Sequence, residues 1–526
     1  MTLGELVRRH ARTRPNLDAY VELNKRVTWD EFQRRTDMLG HALREQGIKP
    51  GDRVGIVSSD SIAVAETFIA CAKVGAIRVG ISGRLAAREI AHLIDDAALK
   101  LLFVQQQYES RIAEALPQAG TAPLLVGIDG TGALDSAIAY EELISQFLTA
   151  PPLKDTPEEQ LMIAYTTGST GMPKGAVYRH RTFIESLCAI ALAEGANHDD
   201  VWLQAMPANG IPIMHLVRNL CHGSKCAIIG DWTAEGALQL IEREKATITV
   251  LVPTMLTSLL DSGLLHKYDT SSLRQLGYGA APIPPAVMRE AVRAFGCNML
   301  QMYGSTELMG MSMMLYPSDH ESGLTTNSAH ILSSAGRALP FVDIKIVDDE
   351  GNELPRGETG ELLISSPFVI DEYWNNQEQY QQTVIDGWLH TGDMARVDEE
   401  GYIYLGDRAK FRIKTGGYNV YPTEVENVLA EHPAVREVCV VGLPDNTWGE
   451  RIHAVVSLRS NASATQGELR EYCRGKIANF KVPKTVDIWP EIPKGVTGKI
   501  LKRQIIDQYS ENNGKSPVSA ASSLAN

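Results

Sequence analysis

From Val54 to about Leu260, short runs rich in Val, Ile and Ala alternate with helix-length amphipathic stretches. The runs include DRVGIVSSD, KLLFVQQ, APLLVGID, KCAIIGD and ATITVLVP; the stretches include AETFIACAKVGA and AEGALQLIEREK. A strand covered on both faces reads as a continuous apolar run, and strand-then-helix alternation builds parallel sheets flanked by helices. After Ser333 the rhythm changes. VDIKIVDDEGNELP, TGELLISSP and GYIYLGDR are close-spaced strand patterns divided by DEG and EEG turns, which predicts antiparallel hairpins. Residues 411–510 carry a compact third pattern, with helices at TEVENVLAEHP and GELREYCRGKIANF and strands at VREVCVVGLPD and RIHAVVSLRS. The expected fold class is α/β: a large domain over 1–406 of two helix-covered, mainly parallel sheets plus a β-rich module, then a small α+β domain over 411–510. The polar, Ser/Ala-rich residues 511–526 are expected to be a disordered tail.

A chain of 526 residues exceeds one ordinary domain, and 44% apolar with 22% charged residues is the composition of a globular protein. Its net charge of −14 disfavours a surface made for nucleic acid or anionic lipid. The charge is divided unevenly: residues 1–406 hold 33 basic and 51 acidic side chains, whereas 407–510 hold 16 and 12. No run approaches the roughly 20 apolar residues that span a bilayer, and MTLGELVRRHARTRP lacks the apolar core of a signal peptide, so a cytoplasmic location is expected. The seven cysteines (71, 188, 221, 226, 297, 439 and 473) form no CxxC pair and read as reduced thiols. Cys221 and Cys226 flank His222, but no second ligand pair accompanies them, and no metal site is expected there.

The chemistry concentrates first in LMIAYTTGSTGMPKGAVYRH, residues 161–180. An apolar run leads into Thr166, Thr167, Gly168, Ser169, Thr170 and Gly171, followed by Lys174. Such a density of hydroxyls and small residues leaves backbone N–H groups free to wrap a polyphosphate, with one lysine to offset charge. It is not a Walker A loop, because Pro173 precedes Lys174 and Gly175 follows it. Further along stand QMYGSTE (301–307), GWLHTGD (387–393), YLGDRAKFRIKTGGYNVYPTEVE (404–426) and PKGVTGK (493–499). Alone, each has an ordinary reading as a surface loop, a helix cap, a hairpin turn or a solvated lysine.

Together and in this order, from Thr28 to about Arg503, these segments resemble the adenylate-forming superfamily of acyl-CoA synthetases, peptide-synthetase adenylation domains and beetle luciferases. The resemblance implies ATP, Mg²⁺ and coenzyme A as co-substrates and cofactor, and it implies roles. Tyr303 would stack on adenine, Gly304 let the backbone approach, Ser305 belong to the nucleotide site, Thr306 reach the α-phosphate, and Glu307 hold Mg²⁺. Gly279, Ala280 and Ala281 would complete the nucleotide site, and Asp393 and Arg408 would bind the ribose hydroxyls. Lys499, on the basic small domain, would neutralise carboxylate and α-phosphate as they meet. Lys410 falls at the hinge (407–410) about which the small domain would swing between half-reactions. Gly416 and Gly417 would line the pantetheine tunnel, with Lys414 serving the second step.

The acyl pocket implied by the resemblance is lined by Asn209, Gly210, Tyr278, Gly279, Met302, Leu308 and Met309. Many relatives carry a bulky aromatic or His after the position of Pro207, where this chain has Ala208-Asn209-Gly210, so a medium- or long-chain, bulky or ring-bearing acid is expected over acetate. Two departures stand out: Phe411-Arg412 after the hinge, and Glu372 where Gly is common. The expected enzyme is an AMP-forming acid-thiol ligase whose partner is a small carboxylic acid, with neither nucleic acid nor an integral membrane involved. QAMPANGIPIM lacks the aspartate that would hold an amino acid's ammonium. Two alternatives stay open: an acyl-adenylating enzyme that loads a carrier protein, and a non-catalytic nucleotide-binding homologue. No oligomerisation signal is readable, and a homodimer stays among the options.

Overall fold

The computed structural model describes residues 1–130, 132, 134, 137–166, 173–281, 283, 285–325, 329–408, 411–415, 418–445, 447–459, 462–474, 476–495 and 500–511. Arg53–Val57, Ile77–Gly80, Leu101–Val104 and Leu124–Gly127 are the apolar runs of the first half, and they lie parallel in a seven-stranded sheet. The sheet's far edge is the antiparallel hairpin of Gln160–Thr166 and Lys174–Arg179. The helix Ile62–Val74 crosses between Arg53–Val57 and Ile77–Gly80 and ends where Gly75 takes φ 77°. Its sequence reads as amphipathic, yet every one of its residues is buried. The two charges on it are paired, Glu66 with Arg35 at 2.5 Å and Lys73 with Asp37 at 2.8 Å, which is what lets charge enter a core.

A nine-stranded sheet follows, with Asp18–Val21, Lys225–Ile228, Val201–Gln204, Ile248–Leu251, Gln275–Gly279 and Asn298–Tyr303 parallel in that spatial order and antiparallel strands at both edges. Thr233 caps the crossover helix Ala234–Glu244 by accepting from the Gly236 N–H at 3.0 Å. Apolar side chains from both sheets, Phe68 and Tyr178 from one side and Met302 and Leu308 from the other, share a single core. The hairpin rhythm after Ser333 becomes a five-stranded antiparallel sheet that includes Gly360–Ser365, Trp388–Val397 and Ile403–Arg408.

The small domain has a five-stranded sheet built on the long hairpin Val435–Asp445 and Gly449–Leu458. The helix expected across GELREYCRGKIANF is shorter, Gln466–Cys473, because Arg474 is already extended and Gly475 follows in sequence. Among the described residues, no helix is long and apolar enough to cross a membrane.

Candidate active site

Strand ends of the two sheets meet: Asp60, just past Arg53–Val57, accepts from Gln204 at the end of Val201–Gln204 (2.8 Å), and Gly80 at the end of Ile77–Gly80 abuts the Asn209 carbonyl; open α/β sheets place their ligands outside such carboxyl ends. Thr166 and Lys174 are Cα partners closing the mouth of the hairpin; Thr167, Gly168, Ser169, Thr170 and Gly171 between them lie outside the described residues. The Lys174 ammonium stands 5.7 Å from the Tyr373 ring centre.

The YGSTE segment leaves the strand Asn298–Tyr303 and makes one 3₁₀ turn, Thr306–Leu308, before Met309 at φ 48° and Gly310 at φ 127°. The turn doubles back so tightly that a Cβ on Gly304 would sit 1.6 Å from the Gly310 carbonyl oxygen, so only glycine fits at that position. Three tyrosine hydroxyls then tie the turn to the rest of the site. Tyr178 donates to the Thr306 carbonyl (2.7 Å), Tyr303 to Asp393 Oδ2 (2.6 Å), and Tyr373 to Glu307 Oε1 (2.8 Å). Ser186 Oγ also donates to the Met309 carbonyl at 3.0 Å. Ser305 Oγ, buried in the middle of this turn, has no hydrogen-bond partner among the described residues.

Asp393 stands at a bulge of the strand Trp388–Val397, and its N–H is held by Thr391 Oγ1 at 3.1 Å. Arg408 is its Cα partner on the neighbouring strand, and this places the two ribose candidates side by side in backbone register. Gly279 is the Cα partner of Met302, and a Cβ on it would stand 2.4 Å from the Met302 carbonyl oxygen. Ala280, next in line, has φ 67°. Leu308 and Met309 share the core between the sheets with Met302. Tyr278 is not brought to them: alternation along its strand sends the ring to the other face, where its hydroxyl meets His320 Nε2 at 2.8 Å. Asn209 and Gly210 are half-buried in the segment after the strand Val201–Gln204.

On the small domain, Lys414 is exposed on Ile413–Thr415, its N–H held by Glu450 Oε2 at 2.6 Å. Lys410, Gly416, Gly417 and Lys499 lie outside the described residues. Phe411 and Arg412 line a small hollow with Gly442, Glu450 and Ile506. Glu372 acts as a brace. Its carboxylate accepts from Gln160 Nε2 at 2.9 Å and from Arg179 at 3.4 Å, which ties together both strands that lead into and out of the phosphate-loop segment.

The family model described as AMP-binding enzyme matches residues 7–374, and the one described as AMP-binding enzyme C-terminal domain matches 424–499. The chain belongs to the AMP-binding enzyme family. Within it, the chain is 32% identical over 514 residues to a fatty acid–[acyl-carrier-protein] ligase, ScoC, of Streptomyces coeruleorubidus, covering 97% of this chain and 96% of the relative. It is 32% identical over 510 residues to an indoleacetate–CoA ligase of Aromatoleum aromaticum, covering 96% and 98%. Its fold matches the anthranilate CoA ligase AuaEII, solved in complex with anthranoyl-AMP, with a TM-score of 0.88 and 26% identity over 99% and 98% of the two chains. The adenylate-forming branch of acyl-CoA synthetases and acid ligases is thus its home, and its mixed α/β architecture is that of those enzymes.

Enzymes of this family work on MgATP, and the side chains present fit that ion. Among the described residues, no cluster of three or more acidic, His or Cys side chains forms a closed cage. Mg²⁺ on a nucleotide needs none, since it takes one or two carboxylates beside phosphate oxygens and water. Half-exposed Glu307, with one oxygen anchored by Tyr373, matches that requirement. Motif reading missed Tyr178, Ser186 and Tyr373. A tyrosine or serine in such surroundings gives no signal in sequence that sets it apart from any other, because the bond it makes is to a distant segment.

Proposed function

We propose that this family member is an ATP-dependent carboxylic acid–CoA ligase acting through an acyl-AMP intermediate on a medium- or long-chain, bulky or ring-bearing acid. The observation that carries the reading is a set of three tyrosine hydroxyl bonds, two reaching the Thr306 turn from Tyr178 and Tyr373 and one running from Tyr303 at its start to Asp393, which joins the 160–180, 301–307, 370s and 387–393 segments into a single cradle. A scattered set of surface motifs would have no reason to be cross-braced in this way.

In the first half-reaction a carboxylate oxygen of the acid attacks the α-phosphorus of ATP. A C–O–P link forms, the bond from that phosphorus to the bridging oxygen breaks, and pyrophosphate leaves. Thr306 and Lys499 offset the charge gathered at phosphorus, Tyr303 carries the adenine, and Asp393 with Arg408 orients the ribose. Mg²⁺ held at Glu307 supplies charge neutralisation on the phosphates. The small domain then turns about Lys410, bringing Lys414, Gly416 and Gly417 to the site. The CoA thiolate attacks the acyl carbonyl, forming the C–S bond and releasing AMP. Apolar Met302, Leu308 and Met309 would line the acyl pocket.

One relative at 32% identity is named for an acyl-carrier-protein acceptor, which supports a second reading in which the thiol belongs to a carrier's pantetheine. The deciding experiment follows pyrophosphate release from MgATP with a panel of acids, each with and without CoA. CoA-driven turnover on one class of acid supports the ligase, and a single equivalent that CoA does not extend supports the carrier reading. Lys499→Ala should abolish adenylation while ATP binding persists. Equal loss of both would remove Lys499 from its role.

A further inference from the structure

The acyl-pocket segment is held by charges that the reaction does not use. Ala208, just before Asn209, donates its N–H to Asp60 Oδ1 at 2.7 Å, and its carbonyl accepts from Arg78 Nη2 at 2.7 Å. Gln204 Nε2 donates to the other Asp60 oxygen at 2.8 Å. From the opposite side, the Asn209 carbonyl oxygen occupies the place where a Cβ on Gly80 would be, 1.9 Å from it. Arg78 and Gly80 belong to the strand Ile77–Gly80 of the seven-stranded sheet, whereas Gln204 ends a strand of the nine-stranded sheet. The clamp therefore spans the seam between the two sheets, at the ends of their strands.

This arrangement is costly. Arg78 is 1% exposed and Asp60 7%, and no direct ion pair joins them. Among the described residues, Arg78 Nε and Nη1 and Gln204 Oε1 have no hydrogen-bond partner. Burial pushes the Asp60 carboxyl up to about 6 and pulls the Arg78 guanidinium down to about 10. A well-packed apolar set would be the more stable filling for such a seam. Local rules broken without a gain in stability collect at functional positions, and the one backbone unit held here on both its polar groups is Ala208, the neighbour of Asn209.

We propose that Asp60 and Arg78 are positioning residues for the acyl pocket, fixing the height of the Ala208–Asn209 backbone above Gly80 and thereby setting which acids are accepted. The inference rests on the ligase reading above. It names a device on this chain's own residues that touches neither ATP nor the reacting carboxylate.

Asp60→Asn is the primary test. The new amide oxygen keeps an acceptor for the Ala208 N–H, now without charge, while its NH2 meets the Gln204 Nε2–H donor to donor, so Gln204 must turn its amide; the removal of a buried charge offsets that cost, and the melting temperature should stay within a few degrees. Gly80→Ala pushes the same segment from the other side without touching a charge. Arg78→Met removes the carbonyl bond, and Arg78→Lys restores a donor on a shorter reach. Pyrophosphate release is measured against acid and against ATP for each folded variant. Asp60→Asn, Gly80→Ala and Arg78→Met should each change the order of preference among acids; Arg78→Met, which deletes one charge-assisted hydrogen bond, should raise KM for the best wild-type acid by about tenfold. KM for ATP should stay within about twofold, and Arg78→Lys should recover part of the preference. An unchanged acid profile in folded Asp60→Asn and Gly80→Ala, or KM values for acid and ATP that rise together, overturns the proposal. A wild-type enzyme silent on every acid defeats the ligase reading itself, and the proposal falls with it; that failure is visible before any variant is made.

Discussion

Removing one oxygen atom from Tyr373 should weaken the handling of Mg²⁺ and little else. Tyr373→Phe keeps the buried ring, its place beneath Lys174 and the backbone bridge to Ala176, and deletes only the hydroxyl that donates to Glu307 Oε1 at 2.8 Å. A hydrogen bond to a charged group is worth roughly 1.5–3 kcal/mol net. Glu307 is half-exposed, so water replaces part of the lost bond, and the low end of that range applies. About 1.4 kcal/mol is a factor of ten, within the 10–100-fold that losing the partner of a metal-binding side chain costs in affinity. The assay is ATP–pyrophosphate exchange titrated with free Mg²⁺. The half-saturating concentration should rise about tenfold, while exchange at saturating Mg²⁺ approaches the wild-type rate and the melting temperature drops by no more than a few degrees. A Mg²⁺ dependence superimposable on that of the wild type would refute the claim that Tyr373 orients Glu307. A rate deficit that saturating Mg²⁺ leaves untouched would refute it too.

Three further outcomes follow from the geometry. Gly304→Ala places a Cβ 1.6 Å from the Gly310 carbonyl oxygen, so the turn must open; adenylation should fall at least about a hundredfold while circular dichroism shows a folded chain. The sulfurs of Cys188 and Cys221 lie 3.9 Å apart, either able to donate to the other, and this contact lowers one thiol of the half-buried pair, so iodoacetamide at about pH 7.5 followed by peptide mass spectrometry should find Cys188 or Cys221 modified before any fully buried cysteine. His180 accepts from the Leu3 N–H at 2.9 Å, and burial, helped by the N-terminal ammonium and opposed by Asp155 and Glu5, lowers it to about 4. Its neutral form is favoured in the fold, so this contribution is full above about pH 6.5 and is lost as pH falls toward 4, by up to about 3 kcal/mol. Melting temperatures between about pH 7 and 4.5 should decline less steeply in His180→Gln, which keeps an acceptor for Leu3.

The fold was legible wherever burial on both faces produced an unbroken apolar run, as in Leu101–Val104 and Ile248–Leu251, whose continuous burial needs no polar alternation. It was less legible where tertiary contacts override a local pattern. The helix Ile62–Val74 looks amphipathic because Glu66 and Lys73 break its apolar surface, and distant partners, Arg35 and Tyr140 for the first and Asp37, Gln33 and Thr36 for the second, make its burial possible. For the site, Tyr303, Glu307 and Asp393 were reached through a resemblance carried by several motifs in order, since each alone has an ordinary reading; what the structure adds is their joining through the Tyr303 and Tyr373 hydroxyls. Strand alternation decided Tyr278, whose side chain serves the opposite face. Arg78 left a trace, a charge inside the apolar run AIRVGIS, but its partner Ala208 is separated from it by a long stretch of chain, and sequence order carries no measure of that closeness.

The three tyrosines that brace the Thr306 turn come from three different stretches, at residues 178, 303 and 373. For anyone exchanging parts among AMP-binding enzymes to alter substrate range, that makes the natural unit of transfer discontinuous. A transplanted 301–310 segment brings Tyr303 but leaves Tyr178, Ser186 and Tyr373 behind, and it arrives with its carbonyls and its carboxylate unsupported. Grafts that carry the matched residues from all of these stretches should keep adenylation, whereas contiguous swaps of the same length should fold and turn over slowly.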